Sequence, residues 1–475
     1  MIEFLAVAFD CAVSRPARWR AILCGVLSAT VVTASAQQHY RVIAYYPMWA
    51  TTTLPVSAIK FQSLTCVNHA FAWPNMDGTI ATYDATIDTA LIDATHRASR
   101  KILLAFGGAG TTQTANFAAV VADSSLRRAF INNVVARLSS SHYDGADLDW
   151  EGPSSQADKM NEVTFVRELR AAFQTTDTSW LITMAIGASN WSGQWRDFAS
   201  LVPYVDWFNA MEYDFHGSWS AVAGHNAPLF IGSDPASDPD YLSIDQSVQY
   251  LAVTRGIPKS KLNLGIPFYG KQFGTSALYT SYTGEQDLAY RDIISTVQTG
   301  SWSYTWDIGS DAPYYTSVSP PKIITFDDTV SIAEKCQYVK SQRLSGVMIW
   351  EISQDVIGQS QPLMDIVGEE MVTTFVAQGP NGDAVPTGFS LYDNYPNPFN
   401  PTTIIRYQIP AGSNVSIRVF DMLGREVGTL LNEYKNAGIG FVQFDASRYH
   451  ISSGVYFYRI QAGQYVQTKK MILVK

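Results

Sequence analysis

Asp144-Gly145-Ala146-Asp147-Leu148-Asp149-Trp150-Glu151 carries four acidic side chains within eight residues, at spacings of three, two and two. Residues two apart on a strand point to the same side, so Asp147, Asp149 and Glu151 share one face while Leu148 and Trp150 share the other. An apolar face bearing Leu and Trp belongs against a core, so this strand lies inside a fold and its three carboxylates stack into one site. Like charges that close cannot all ionise, so at least one proton is shared and one pKa rises, which suits a general acid at the rim. Carboxylate clusters also ligate calcium or magnesium, so a divalent-metal site is the competing chemistry.

Outward from this strand, the chain alternates short apolar runs with helical stretches. The strand candidates are Arg41 to Tyr46, Leu64 to Ala72, Lys101 to Phe106, Gly145 to Trp150, Trp180 to Ile186, Trp207 to Tyr213, Lys261 to Phe268 and Gly346 to Glu351. Such near-continuous apolar runs are expected of parallel strands buried on both faces. Thr114 to Leu138 and Lys159 to Phe173 have helical periodicity between strands three, four and five. Eight strand–helix units over roughly 330 residues predict an α/β fold, a (β/α)8 TIM barrel whose polar residues at the strand C-terminal ends are functional candidates. Lys271 to Ile323, rich in Tyr, Ser, Thr and Trp, interrupts the rhythm between strands seven and eight. It is expected to be a short insertion forming one wall of a cleft. Gln378-Gly379-Pro380-Asn381-Gly382-Asp383 reads as a linker, within an expected span of 369–387. From about Gly388, alternating runs such as Val415 to Phe420 and Val455 to Ile460, separated by turn residues, predict a small all-β, immunoglobulin-like sandwich over 388–475.

With 475 residues, 47% of them hydrophobic and 16% charged, the chain can bury a large core. A formal charge of −9 without a Lys/Arg cluster disfavours nucleic acid as a partner. Aromatic residues make up 13% of the chain, enough to provide flat faces for stacking sugar rings. Arg15, Arg18 and Arg20 precede the apolar stretch Ala21 to Thr33 and then Ala34-Ser35-Ala36. A signal peptide over 1–36 is expected, too short in its apolar part to be a membrane span. That leaves Cys66 and Cys336 in the mature chain, read as buried free thiols rather than a disulfide framework. The 7 His show no ligand spacing with Cys, so neither metal nor cofactor is expected.

The acidic run resembles glycoside hydrolase family 18, the chitinase and endo-β-N-acetylglucosaminidase family, whose fourth barrel strand carries D-G-x-D-x-D-x-E. Asp144, Gly145, Asp147, Asp149 and Glu151 match it completely. Met211-Glu212-Tyr213-Asp214 is similar to the family's strand-six motif, Leu264 to Gly270 to strand seven and Gly346 to Glu351 to strand eight. Tyr45 and Phe71 match aromatic positions on strands one and two. The resemblance runs from about Arg41 to Asp365 and implies a retaining, substrate-assisted hydrolysis, the exception to the two-carboxylate scheme. Glu151 would be the acid and then the base, Asp149 would orient the acetamido group, Asp147 would share a proton with Asp149, and Tyr213 would hold the acetamido oxygen. Tyr45, Phe71, Asp144, Met211, Asp214 and Trp350 would contact substrate. Two departures stand out. Ala105-Phe106-Gly107-Gly108 lacks the serine of the strand-three S-x-G-G motif, and Ala109 replaces a frequent tryptophan. Trp73, Trp191, Trp219, Trp302 and Trp306 are candidate substitutes for that platform, and Trp219 ranks first because Asp214 to Trp219 leads off strand six to the cleft rim.

Asn394 to Thr403, Val419 to Arg425, Ser453 to Tyr458 and Lys469 to Lys475 resemble the sorting domain of type IX secretion. This implies export past an outer membrane, with the enzyme released or attached at the cell surface, and makes the secretion machinery a partner. A carbohydrate-binding module is the competing reading of that domain. For the whole chain, the expectation is a secreted monomeric chitinase acting on chitin or chitooligosaccharides, with an endo-β-N-acetylglucosaminidase and a chitin-binding lectin as alternatives.

Overall fold

A computed structural model describes residues 40–83, 89–232, 243–372, 377–378, 384–385, 388–394, 397–449 and 451–474. The expected leader lies outside them, as does most of the expected linker.

Eight parallel strands close on themselves: β1 (Arg41–Pro47), β2 (Cys66–Pro74), β3 (Lys101–Gly107), β4 (Gly145–Asp149), β5 (Leu181–Gly187), β6 (Trp207–Met211), β7 (Leu262–Pro267) and β8 (Gly346–Trp350). Each pairs with the next, and β1 pairs with both β2 and β8, so the eight close into a barrel, with the short strand Ile80–Thr82 added antiparallel to the end of β2. Side chains alternate as the strand period requires. On β1, Val42, Ala44 and Tyr46 join the core between strands and helices, while Ile43 and Tyr45 fill the barrel interior with Cys66, Ala70, Phe71, Leu103 and Met348. Cys66 and Cys336 are buried and free.

The stretch expected to be helical from Thr114 to Leu138 is two helices, Thr111–Ala122 and Ser124–Ser141. Asp123 divides them: its backbone is extended, and its carboxylate accepts from Ser125 N (2.8 Å) and Leu126 N (2.9 Å) as the second helix's N-cap. The segment between β7 and β8 is more than a loop. Five antiparallel strands, Tyr269–Phe273, Glu285–Ala289, Trp302–Asp307, Ala312–Val318 and Pro321–Thr325, form a sheet with the helix Tyr290–Gln298. The last barrel helix spans Pro362–Met371, so residues 369 to 371, expected in the linker, are helical. Glu370 explains the difference, because its buried carboxylate ties this turn to Lys340 (2.9 Å).

Beyond it, a three-stranded sheet (Ser390–Leu391, Thr402–Ile409, Gly438–Asp445) and a four-stranded one (Ser413–Phe420, Glu426–Lys435, Gly454–Ala462, Tyr465–Leu473) share a second core. Val415, Ile417 and Val419 are the inward half of an alternating strand. Among the described residues no helix is long and apolar enough to cross a membrane, and no group of three or more His, Cys, Asp or Glu is arranged to hold a metal.

Candidate active site

The acidic run climbs β4 from the floor of the barrel to its mouth. Asp147 is fully buried, Asp149 nearly so, and Glu151, just past the strand end, reaches solvent at the opening. Leu148 and Trp150 point outward as their alternation predicts, Trp150 stacking on Phe117 with ring centroids 5.5 Å apart. Asp144 is a correction. It precedes β4 at the N-terminal end of the barrel, opposite the mouth, where it accepts from Lys101 Nζ (2.7 Å), His96 Nε2 (3.0 Å) and Ile102 N (2.9 Å). Its role is to anchor the strand, and it cannot reach a substrate bound at the other end.

Three side chains donate to Asp147: the Tyr45 hydroxyl (2.5 Å), the Thr183 hydroxyl and Asn209 Nδ2 (3.3 Å). Burial raises its pKa, and these donors pull it back by favouring the charged form. Thr183 on β5 and Asn209 on β6 thus provide support that no serine can give from Ala105, the residue paired with Asp147 across β3 and β4. Asp149 has no such help. Its Oδ1 is buried without a hydrogen-bond partner, and its pKa is driven well up by burial and then by the charges of Glu151 and Asp147, with Arg196 opposing. Glu151 is raised to about 7, first by burial within the funnel walls and then by Asp214, again against Arg196. Arg196 itself is fixed by Glu162 (2.5 Å) and donates to the Trp150 carbonyl, holding the backbone just before Glu151.

β3 comes unusually close to this strand. A Cβ on Gly107 would lie 1.9 Å from the Asp149 carbonyl oxygen, and φ there is +133°. Only glycine fits, and the next residue's N–H donates to that same oxygen at 2.8 Å.

Around the carboxylates lies an aromatic floor. Trp350, half-buried at the end of β8, stacks on Phe71 (5.6 Å) and meets Tyr45 edge-on (5.4 Å). Tyr213 and Met211 border the same cluster, the Tyr213 hydroxyl lying 4.0 Å from the Met348 sulfur. Burial and the Asp149 charge keep that phenol protonated, so it is a donor. Asp214 follows in left-handed backbone (φ +58°) and is gripped by the Tyr269 hydroxyl (2.6 Å) and Lys271 Nζ (3.0 Å), both from the insertion's first strand. Trp219 is 64% exposed, its ring 5.3 Å from Lys271 Nζ. Trp302 and Trp306 pack against the core instead, and Trp191, 81% exposed, stands free of the ring contacts at the mouth. Trp49, four residues past Tyr45, was missed in the sequence. It is exposed and meets Tyr83 (5.0 Å) and Phe71 (6.5 Å), with Trp73 completing the group through Tyr83 (4.9 Å).

A buried carboxyl stack ending in a neutral acid, a protonated phenol beside it and an apolar floor can bind a sugar ring and protonate a leaving oxygen. Residues 41–355 match the model of glycosyl hydrolases family 18, and residues 393–475 match the secretion system C-terminal sorting domain. The chain is 35% identical over 280 residues to "Probable chitinase 2" of Drosophila melanogaster, covering 54% of this chain and 56% of that one. It is 28% identical over 407 residues to "Chitinase A1" of Niallia circulans, covering 68% of this chain and 58% of that protein. It thus spans a little over half the length of these curated relatives. Among solved structures, the Group IV chitinase of Ostrinia furnacalis in complex with allosamidin superposes with a TM-score of 0.64 at 27% identity, covering 70% of this chain and 98% of that one.

Proposed function

This chain belongs to glycosyl hydrolases family 18, and from that premise we propose that it is a chitinase cleaving β-1,4 bonds between N-acetylglucosamine units with retention of configuration. The observation that carries the reading is the graded stack Asp147, Asp149, Glu151, whose outermost member holds its proton to about pH 7. Glu151 protonates the glycosidic oxygen as the acetamido oxygen of the sugar attacks the anomeric carbon, giving an oxazolinium ion. Asp149 passes the proton it shares to Asp147, turns its unpaired Oδ1 to the acetamido N–H and, as a carboxylate, offsets the positive charge that develops. Tyr213 donates to the acetamido oxygen, and Trp350 supports the apolar face of the ring. Glu151, now a carboxylate, takes a proton from the water that opens the oxazolinium ion and is restored. Tyr45, Phe71, Met211, Asp214 and Trp219 contact the sugar chain. The C-terminal sorting domain marks the chain for export by type IX secretion, to be secreted or held at the cell surface.

Product analysis on chitohexaose, colloidal chitin and a high-mannose glycoprotein in parallel tests the substrate class. Short N-acetylglucosamine oligomers from the first two, with the glycoprotein untouched, are expected. Release of intact glycan with chitohexaose untouched would move the assignment to an endo-β-N-acetylglucosaminidase.

A further inference from the structure

In the C-terminal domain, the strand Thr402–Ile409 has apolar or buried residues on both faces, which a free-standing two-sheet sandwich does not need. Ile405, Tyr407 and Ile409 point into that domain's own core. On the other face, Ile404 is 4% exposed and belongs to the core cluster of the barrel, and Arg406 is 3% exposed. Phe441, the cross-strand partner of Arg406, also packs against the barrel cluster. The Thr402 hydroxyl donates to the Tyr304 carbonyl (3.1 Å) on the insertion strand Trp302–Asp307. At the centre, the Arg406 guanidinium pairs with Glu370, whose carboxylate also takes Lys340 Nζ at 2.9 Å, and the Tyr392 ring lies 4.1 Å beneath the guanidinium.

This arrangement is separable in a way most buried ion pairs are not. Losing one partner of a buried pair ordinarily strands a charge. Here Glu370 would keep Lys340, which lies on the same side, and Arg406 would keep its Tyr392 face and gain water. Both halves of the contact can therefore exist apart.

We propose that this face is a reversible dock for the chain's own C-terminal domain, and that cutting the linker does not by itself free the barrel from that domain. The Arg406–Glu370 pair, flanked by Ile404 and Phe441, holds the two pieces together. Loss of the pair releases them.

The test uses the full chain with a protease site placed between Gly382 and Asp383, cut to completion and passed through size exclusion at physiological ionic strength. The two fragments of the otherwise unchanged chain are expected to co-elute. Arg406→Glu on one side and Glu370→Gln on the other should each weaken the association about tenfold or more and let the fragments separate. Hydrolysis by the barrel serves as the check that each variant has folded. Fragments of the unchanged chain that part on cutting, or that stay together in both variants, would overturn the proposal.

Discussion

At Glu151, burial and the charge of Asp214 both favour the neutral carboxyl, which holds its proton up to about pH 7. A carboxyl whose pKa is raised on folding adds stability below its unfolded value and loses that contribution as pH rises through the folded one. Glu151→Gln, which cannot ionise, should therefore melt at a higher temperature than the unchanged protein at pH 8, with the difference gone near pH 4.5. Thermal melts at the two pH values check this, and equal shifts at both would refute it. Asp147 poses the complementary case. Thr183→Val removes one of three donors from a fully buried carboxylate, so the Asp147 pKa should rise further. The acidic limb of the pH–rate profile should then move to higher pH and kcat should fall about tenfold. Thr183→Ser should restore both. An unmoved limb would assign Thr183 to packing alone. The carboxylates themselves were legible in the sequence because a strand's period of two puts Asp147, Asp149 and Glu151 on one side. Thr183, Asn209 and Arg196 were not, since they reach the stack from other elements of the barrel wall. Asp144 misled because it belongs to the same run but precedes the strand's first residue.

At the scale of elements, the barrel strands were legible because burial on both faces leaves nearly unbroken apolar runs. The insertion was not: its polar Tyr, Ser and Thr mask an antiparallel sheet, where a loop-like wall of a cleft was expected. Its first strand brings Tyr269 and Lys271 onto Asp214 and sets Lys271 against Trp219. A ring so exposed contributes little to folding but offers a flat face to a sugar. Trp219→Ala is expected to leave the melting temperature within about 2 °C and raise KM for chitohexaose about tenfold, with kcat nearly unchanged. Steady-state kinetics on chitohexaose decide it. A fall in kcat with KM unchanged would place Trp219 away from the bound chain.

Over the whole molecule, catalytic and addressing functions are divided between two cores, one in the barrel and one in the C-terminal sandwich. That division was readable from the change of pattern near Gly388, where near-continuous apolar runs give way to short alternating strands. The contact between the two was not readable, because Arg406 and Glu370 lie on separate elements and gain meaning only when Ile404 turns outward against the barrel. Glu151 stands at the mouth past the end of its strand, where burial and the charge of Asp214 favour its neutral form. Single-turnover hydrolysis of chitohexaose by the unchanged protein and by Glu151→Gln tests its role directly. A rate lower by about 10²- to 10⁴-fold in the variant, with oligosaccharide affinity retained, is expected, whereas equal rates in the two proteins would contradict a general-acid role for Glu151.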